Sequence, residues 1–204
     1  MLHVITRENR HLYTQRLEEM FRLRYRIFVE EQKWDLPCSY PYEMDEFDTE
    51  DAIYFIYIDE TDEIQGSMRL LPTTGPHLMT DVFPEMCSGI PPSSVNIFES
   101  SRGSVRKEHR KAGYIWSMIL AGSFEYCLIS GISQLSFVID MKLFSAWLAK
   151  GDDIDPLGPP CEINGNTCVA ALRSVTTDAL SIVRQTAQIR GPALTYIRDV
   201  ERAA

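Results

Sequence analysis

The 204-residue chain lacks several features that mark specialised proteins, and each absence removes a class of function. There is no excess of cations: Lys and Arg total 20 against 29 Asp and Glu, a net charge of -9. Phosphate recognition rests on clustered positive charge, so a nucleic-acid partner is excluded, although a local basic patch is not. There is no cysteine framework. Cys38, Cys87, Cys127, Cys161 and Cys168 are odd in number and contain no CxxC pair, which reads as thiols of a reducing cytoplasm. No apolar run approaches the roughly 20 residues of a membrane span, and MLHVITRENR has no apolar signal core. The histidines at 3, 11, 77 and 109 have no ligand spacing, so no metal site is expected. Neither repeats nor low-complexity tracts interrupt the chain, which predicts one domain over residues 1–204 with an ordinary core.

What is present has clear periodicity. Residues 2–7 read as a strand, and residues 8–31 as a helix starting near Asn9, with Leu12, Leu17, Phe21 and Phe28 on one face. Pro37 and Pro41 force a loop from Glu31 to Asp51, long, acidic and expected to be mobile until a ligand orders it. Residues 52–59 and 64–72 read as a hairpin with a polar turn, Met68 and Leu70 facing one way and Arg69 the other. Residues 95–105 are expected to form a central strand. A helix from Gly113 to Ile129, strand 132–139, helix 141–150 and strand 167–175 follow. Hairpin strands first and alternation afterwards give an α/β class with a mixed sheet.

Three arginines, three carboxylates and two aromatic residues stand out in the first half: Arg24, Arg69, Arg102, Asp45, Asp48, Glu99, Phe28 and Trp34. Their charges compensate across separate segments, which suggests one folded site. The same set also reads as an internal ion network tying the first helix to the sheet, and both roles can coexist. Glu99 and Arg102 are three residues apart, so a regular strand sends them to opposite faces unless a bulge re-aims one. Arg106, Lys107, Arg110 and Lys111 form the densest basic run, either a solvated helix start or a dock for an anion.

The segments FRLRYRIFVEEQKWD, MDEFDTEDA, GSMRLLPTT, DVFP and FESSR together resemble the acyl-homoserine-lactone synthase (LuxI-type) family over about residues 1–175. The resemblance implies a GNAT-like N-acyltransferase fold: a mixed, mostly antiparallel twisted sheet flanked by helices and splayed at the thioester site. VRKEHRKAGYIWSMIL is similar to the GNAT pantetheine segment, with Arg110 and Gly113 opening a helix whose free N–H groups accept a pyrophosphate, although Ile115 replaces a small residue. The implied reaction uses S-adenosylmethionine and an acyl thioester as substrates, with no prosthetic group. Acyl transfer to the amine precedes lactone closure and loss of methylthioadenosine. The thioester carrier is acyl carrier protein or coenzyme A.

In that reading Glu99 is the base for an amine that is mostly protonated near neutral pH. Asp45 and Asp48 attract the substrate cation, Arg24, Arg69 and Arg102 fix them and the substrate carboxylate, and Phe28 and Trp34 cover the adenine or sulfonium. The backbone at Ser100 and Ser101 supplies an oxyanion donor; Ser101 as an acyl-accepting nucleophile is disfavoured, since no histidine is near it in sequence. Arg106, Lys107, Arg110, Lys111 and Gly113 receive the phosphopantetheine. Gly103 stands where the family has an aromatic residue, which predicts looser packing beside the strand.

RENRHLYTQ, LLPTTGP and DPLGPP resemble the branch using branched-chain or aromatic acyl-coenzyme A, yet that branch's paired tryptophans correspond to Lys142 and Leu143. Phe124, Tyr126, Phe137, Phe144 and Trp147 read as core or as lining of an acyl tunnel. Two alternatives stay open: an N-acyltransferase of the same fold with another amine acceptor, and a non-catalytic acyl-thioester binding protein.

Overall fold

The chain is seen in a computed structural model that describes residues 1–195. Residues 196–204 of the expected domain lie outside the described residues. Strand β1 (Leu2–Ile5) leads to a 3-10 turn (Arg10–Tyr13), helix α1 (Thr14–Arg24) and a π-helical turn (Tyr25–Glu31). The 3-10 turn shifts the helical phase, so Tyr13 is buried and Leu12 is half exposed, contrary to the single apolar face expected. Strands β2 (Ile53–Ile58) and β3 (Ile64–Pro72) form the hairpin. Its turn is held by one side chain: Asp59 Oδ1 accepts from the Thr61 and Glu63 amides, which stands in for the usual Asn-Gly.

Helix α2 (Leu78–Asp81), strand β4 (Ile97–Val105), helix α3 (Lys107–Arg110) and helix α4 (Tyr114–Ser130) follow, then β5 (Gln134–Asp140) and α5 (Met141–Leu148). The remaining elements are β6 (Ile154–Pro156), β7 (Cys161–Ile163), β8 (Asn166–Ser174), α6 (Thr177–Thr186) and β9 (Leu194–Thr195). The strands run β6-β8-β5-β4-β3-β2-β1-β9, with β7 beside β8. Only β4–β5 and β1–β9 pair parallel, so the sheet is mixed and mostly antiparallel, as the resemblance implies.

Alternation along β2 and β3 sorts the core into two layers. Phe55, Met68 and Leu70 pack on Ile115, Ile119 and Phe124 of α4. Tyr54, Ile56 and Leu71 pack on Leu17, Met20 and Phe21 of α1. Each such side chain contributes about 1.5–3 kcal/mol when removed from water, so both helices are fixed by their apolar faces. Arg69 lies on the α1 layer, opposite Met68 and Leu70.

The sheet parts between β4 and β5. They pair only from Ile97↔Gln134 to Glu99↔Ser136, after which β5 keeps β8 as its neighbour and β4 keeps β3. From Ser100 onward, the β5-facing side of β4 has no strand opposite it among the described residues. This parting is the expected splay.

Candidate active site

The π-helical turn carries Phe28 and ends by folding Trp34 back: the Trp34 amide donates to the Phe28 carbonyl at 2.9 Å. The two rings stack at 4.8 Å with an 11° interplanar angle, and the Arg102 guanidinium lies 5.9 Å from the Phe28 centroid. A widened turn spends fewer intrahelical contacts per residue and often marks a working site. Phe28 is buried, so Trp34 presents the accessible ring.

Arg102 reaches the site through a bulge. Leu71↔Glu99, Leu70↔Ser100 and Arg69↔Ser101 are followed by Ser67↔Ser104, so Met68 opposes both Arg102 and Gly103. Arg102 has φ +51°, a left-handed conformation that costs a non-glycine residue about 1–3 kcal/mol and is retained where neighbours over-determine it. The bulge sets Arg102 beside Arg69 and Ser101 and resolves the three-residue spacing from Glu99.

Three guanidiniums then meet three carboxylates. Arg24 donates to Asp48 at 2.9 and 3.0 Å and to Glu43. Arg69 holds Asp45 at 2.5 and 3.0 Å and lies 2.8 Å from Asp48. Arg102 bonds Glu43 at 3.0 Å and Asp45 at 2.7 Å. Burial opposes the charge on Asp48, yet Arg24 and Arg69 outweigh it and hold the carboxyl well below the usual range. Burial likewise opposes the charges on Arg24 and Arg69, and their carboxylate partners overcome it.

Asp48 accepts from Arg24, the Asp45 amide and the Tyr54 hydroxyl, and only 1% of its side chain is exposed. Arg24 is equally enclosed, so both side chains are turned into the ion network and away from solvent. The open end of the network is Asp45 and Arg102, each 11% exposed.

Glu43 was missed by sequence reasoning. It sits between Arg24 and Arg102 with 1% exposure, and its only signal was membership of the acidic run with Asp45 and Asp48. Tyr54 was missed as well, hidden in an apolar strand. The network also pins the Glu43–Asp48 half of the loop without a ligand, because its anchors come from α1, β3 and β4. The Glu43–Asp48 half of the Glu31–Asp51 loop is thus held by side-chain contacts to the fold.

Glu99 lies on the same face as Arg69, its carboxylate accepting from the Leu78 and Met79 amides at 3.1 and 2.7 Å, where α2 begins. Burial raises its pKa above the ordinary carboxylate value, against the pull of those amides, His77 and Arg69. Such a group takes up a proton more readily than a free glutamate. Ser101 Oγ lies 3.1 Å from the Arg69 Nε that donates to it. Ser100 opens the unpaired side of β4.

The basic run divides. Arg106 bonds the Ile64 carbonyl at 2.8 Å, and Arg110 bonds the Val105 carbonyl and Glu31, both at 2.7 Å, so these two guanidiniums hold structure. Lys107 and Lys111 stay exposed. Gly113 has φ +68°, and no side chain caps the start of α4 behind it. Packing beside β4 is not loose at Gly103: a Cβ there would meet the Trp116 ring at 2.8 Å, so α4 supplies the aromatic cover that the strand lacks. A separate groove of about 630 Å³, lined by Arg10, Leu17, Phe21, Tyr42 and Met44 among others, contains none of the predicted site residues.

A sheet parted between two parallel neighbours, a carboxylate just before the gap and an uncapped helix start after it define an N-acyltransferase of GNAT type. A solved acyl-CoA N-acyltransferase from Pseudomonas aeruginosa shares this fold with TM-score 0.60, covering 85% of this chain and 98% of that one, at 13% identity, a likeness of fold alone. The particular family is equally plain: the chain belongs to the autoinducer synthases, whose family model matches residues 8–181. The isovaleryl-homoserine lactone synthase of Bradyrhizobium diazoefficiens is 35% identical over 186 residues, 90% of this chain and 84% of that protein. The structure of a CoA-dependent acyl-homoserine lactone synthase, BjaI, with SAM and isopentyl-CoA matches with TM-score 0.89 at 32% identity, covering 97% and 93%. The chain is an acyl-homoserine-lactone synthase.

Proposed function

We propose that the protein makes an N-acyl-L-homoserine lactone from S-adenosylmethionine and an acyl-coenzyme A, working as one domain in the cytoplasm, where both substrates are made. The observation that carries this reading is the bulge at Arg102 beside the splay. It sets Arg69, Ser101 and Arg102 against an unpaired strand edge, with Glu99 at the last residue before the gap.

The substrate amine attacks the thioester carbonyl across the gap. Glu99 takes the amine proton, directly or through a water, and its raised pKa suits that task. The backbone N–H at Ser100 or Ser101 that faces the gap stabilises the oxyanion, and the thiolate leaves. The methionyl carboxylate then attacks its own γ-carbon, closing the lactone and releasing methylthioadenosine. Asp45 faces the substrate cation and Arg102 the substrate carboxylate, while Trp34 covers the adenosyl group or sulfonium. Arg24, Glu43 and Asp48 keep these in place.

Coenzyme A is favoured over an acyl carrier protein because Arg106 and Arg110 are occupied. Lys107, Lys111 and the Gly113 helix start then make a dock for small phosphates instead of a broad cationic face for an acidic protein. Coenzyme A dependence is also a property of the BjaI relative. Purified protein supplied with S-adenosylmethionine and matched acyl-coenzyme A and acyl-carrier-protein donors tests the reading through methylthioadenosine release. Turnover with the carrier protein alone would overturn the donor, and acylation of another amine without methylthioadenosine would overturn the reaction.

A further inference from the structure

Arg173 lies on β8, 2% exposed, on the layer of the sheet that faces α4. Its strand partner is Leu135, and the next pairs on that face are Phe137↔Ala171 and Ile139↔Val169. The guanidinium carbon lies 4.7 Å from the Phe124 ring centroid and 5.5 Å from that of Trp147. Asp152 accepts from Nη2 at 2.5 Å. The Nε and Nη1 donors find no acceptor among the described residues, although both are buried.

Unpaired buried donors are rare and costly, more so when charged, so their retention calls for a reason. Stability does not supply one, since apolar side chains in place of both Arg173 and Asp152 would fill this space without orphan donors. Position does. The gap between β4 and β5 opens directly onto Phe137 and Ile139, the first β5 residues past the splay on the α4 side. An acyl group held at the gap has this aromatic-lined wall to follow, and Arg173 stands at its closed end, level with the paired Leu135 and Phe98, where β8 lies two strands and about 10 Å from β4 at the usual spacing.

Building on the proposed seating of the thioester, we infer that Arg173 closes the acyl pocket as a polar receptor, selecting acyl groups whose far end carries a hydrogen-bond acceptor such as a hydroxyl or carbonyl oxygen. Phe124 and Trp147 fix the guanidinium plane and exclude water, while Asp152 compensates its charge. The free donors then meet an oxygen on the acyl group. A site built this way discriminates mainly by rejecting the analogue that leaves its donors unpaired.

The test is calorimetric binding of matched coenzyme A thioesters that differ only in a terminal oxygen, octanoyl against ω-hydroxyoctanoyl and shorter and longer pairs, to the full chain. The oxygen-bearing member of at least one pair is expected to bind about tenfold tighter or more, one hydrogen bond's worth at a charged donor. In Arg173→Met that ratio falls to about one, and Arg173→Lys restores part of it. Equal affinity within every pair, absence of binding included, overturns the inference. So does a preference that persists in a folded Arg173→Met protein. The wild-type measurement decides even if that variant does not fold. A binding preference without methylthioadenosine release would overturn the proposed reaction and leave the receptor standing.

Discussion

Arg24 and Arg173 are both buried guanidiniums on the same sheet scaffold, and they are treated in opposite ways. Around Arg24 every charge is compensated: Glu43, Asp45 and Asp48 meet Arg24, Arg69 and Arg102, and Tyr54 completes the shell. Around Arg173 there is, among the described residues, one acceptor, Asp152, and two donors without a partner. The difference separates scaffold from receptor. A saturated network fixes geometry before any ligand arrives, whereas an unsaturated one stores a demand that only a ligand meets.

The largest expected effect tests the saturated side. Asp48→Ala leaves Arg24 and Arg69 without their shared partner and should destabilise by about 3–5 kcal/mol in urea unfolding. A variant as stable as the parent would end the scaffold reading. Next, Glu99→Gln should lower kcat by about 100-fold or more, measured on folded protein, because it removes a base and keeps the shape, with loss of one of the two hydrogen bonds from the Leu78 and Met79 amides. Full activity in that variant would remove Glu99 from the chemistry.

Acid sharpens the contrast further. Glu99 must be ionised to act and its pKa is raised, so kcat/KM should fall as pH drops through a value above the ordinary glutamate range. Asp48 is depressed, so its stabilisation is fully present above the normal aspartate value and is lost only as pH falls through the lower folded value. Reversible loss of activity should therefore precede acid unfolding, and simultaneous loss of both would contradict the two assignments.

Two smaller effects complete the series. Lys107→Glu with Lys111→Glu should raise the donor KM a few-fold and leave that of S-adenosylmethionine unchanged, with added salt acting in the same direction over a screening length of about 8 Å. Arg173→Met should destabilise less than Asp48→Ala, since it strands one carboxylate, Asp152 at 10% exposure, where Asp48→Ala strands two enclosed guanidiniums, and it removes two unpaired donors at the same time. A loss as large as that of Asp48→Ala would erase the distinction between the two arginines.

The elements that alternate strongly were legible in the sequence. The hairpin, the central strand and α4 carry long apolar patterns, and Arg69 was placed opposite Met68 and Leu70 by alternation alone. The bulge could be anticipated from the spacing of Glu99 and Arg102, but its residue could not, since left-handed φ at an arginine leaves no mark in composition. Strands β6, β7 and β9 have two or three residues each, too short for periodicity to register. Glu43 looked like one more acid in an acidic loop. Trp116 over Gly103 is a contact between elements, which spacing along one element does not encode.

The buried carboxylate of Glu125 on α4 has a consequence for how the chain reaches this shape. It accepts from the Ala193 and Leu194 amides and from Arg184, and so moors the segment that lays β9 beside β1. Leu2 and His3 thus acquire their outer neighbour from residues synthesised long after them, and until then β1 presents an unpaired edge while the ribosome is still at work. Contacts so distant in sequence form slowly, and an uncovered edge is where nascent chains recruit one another. Pairing β9 with β1 waits on β9's own synthesis, and weakening the Glu125 mooring should lower the yield of soluble protein more than the stability of the molecules that succeed in folding.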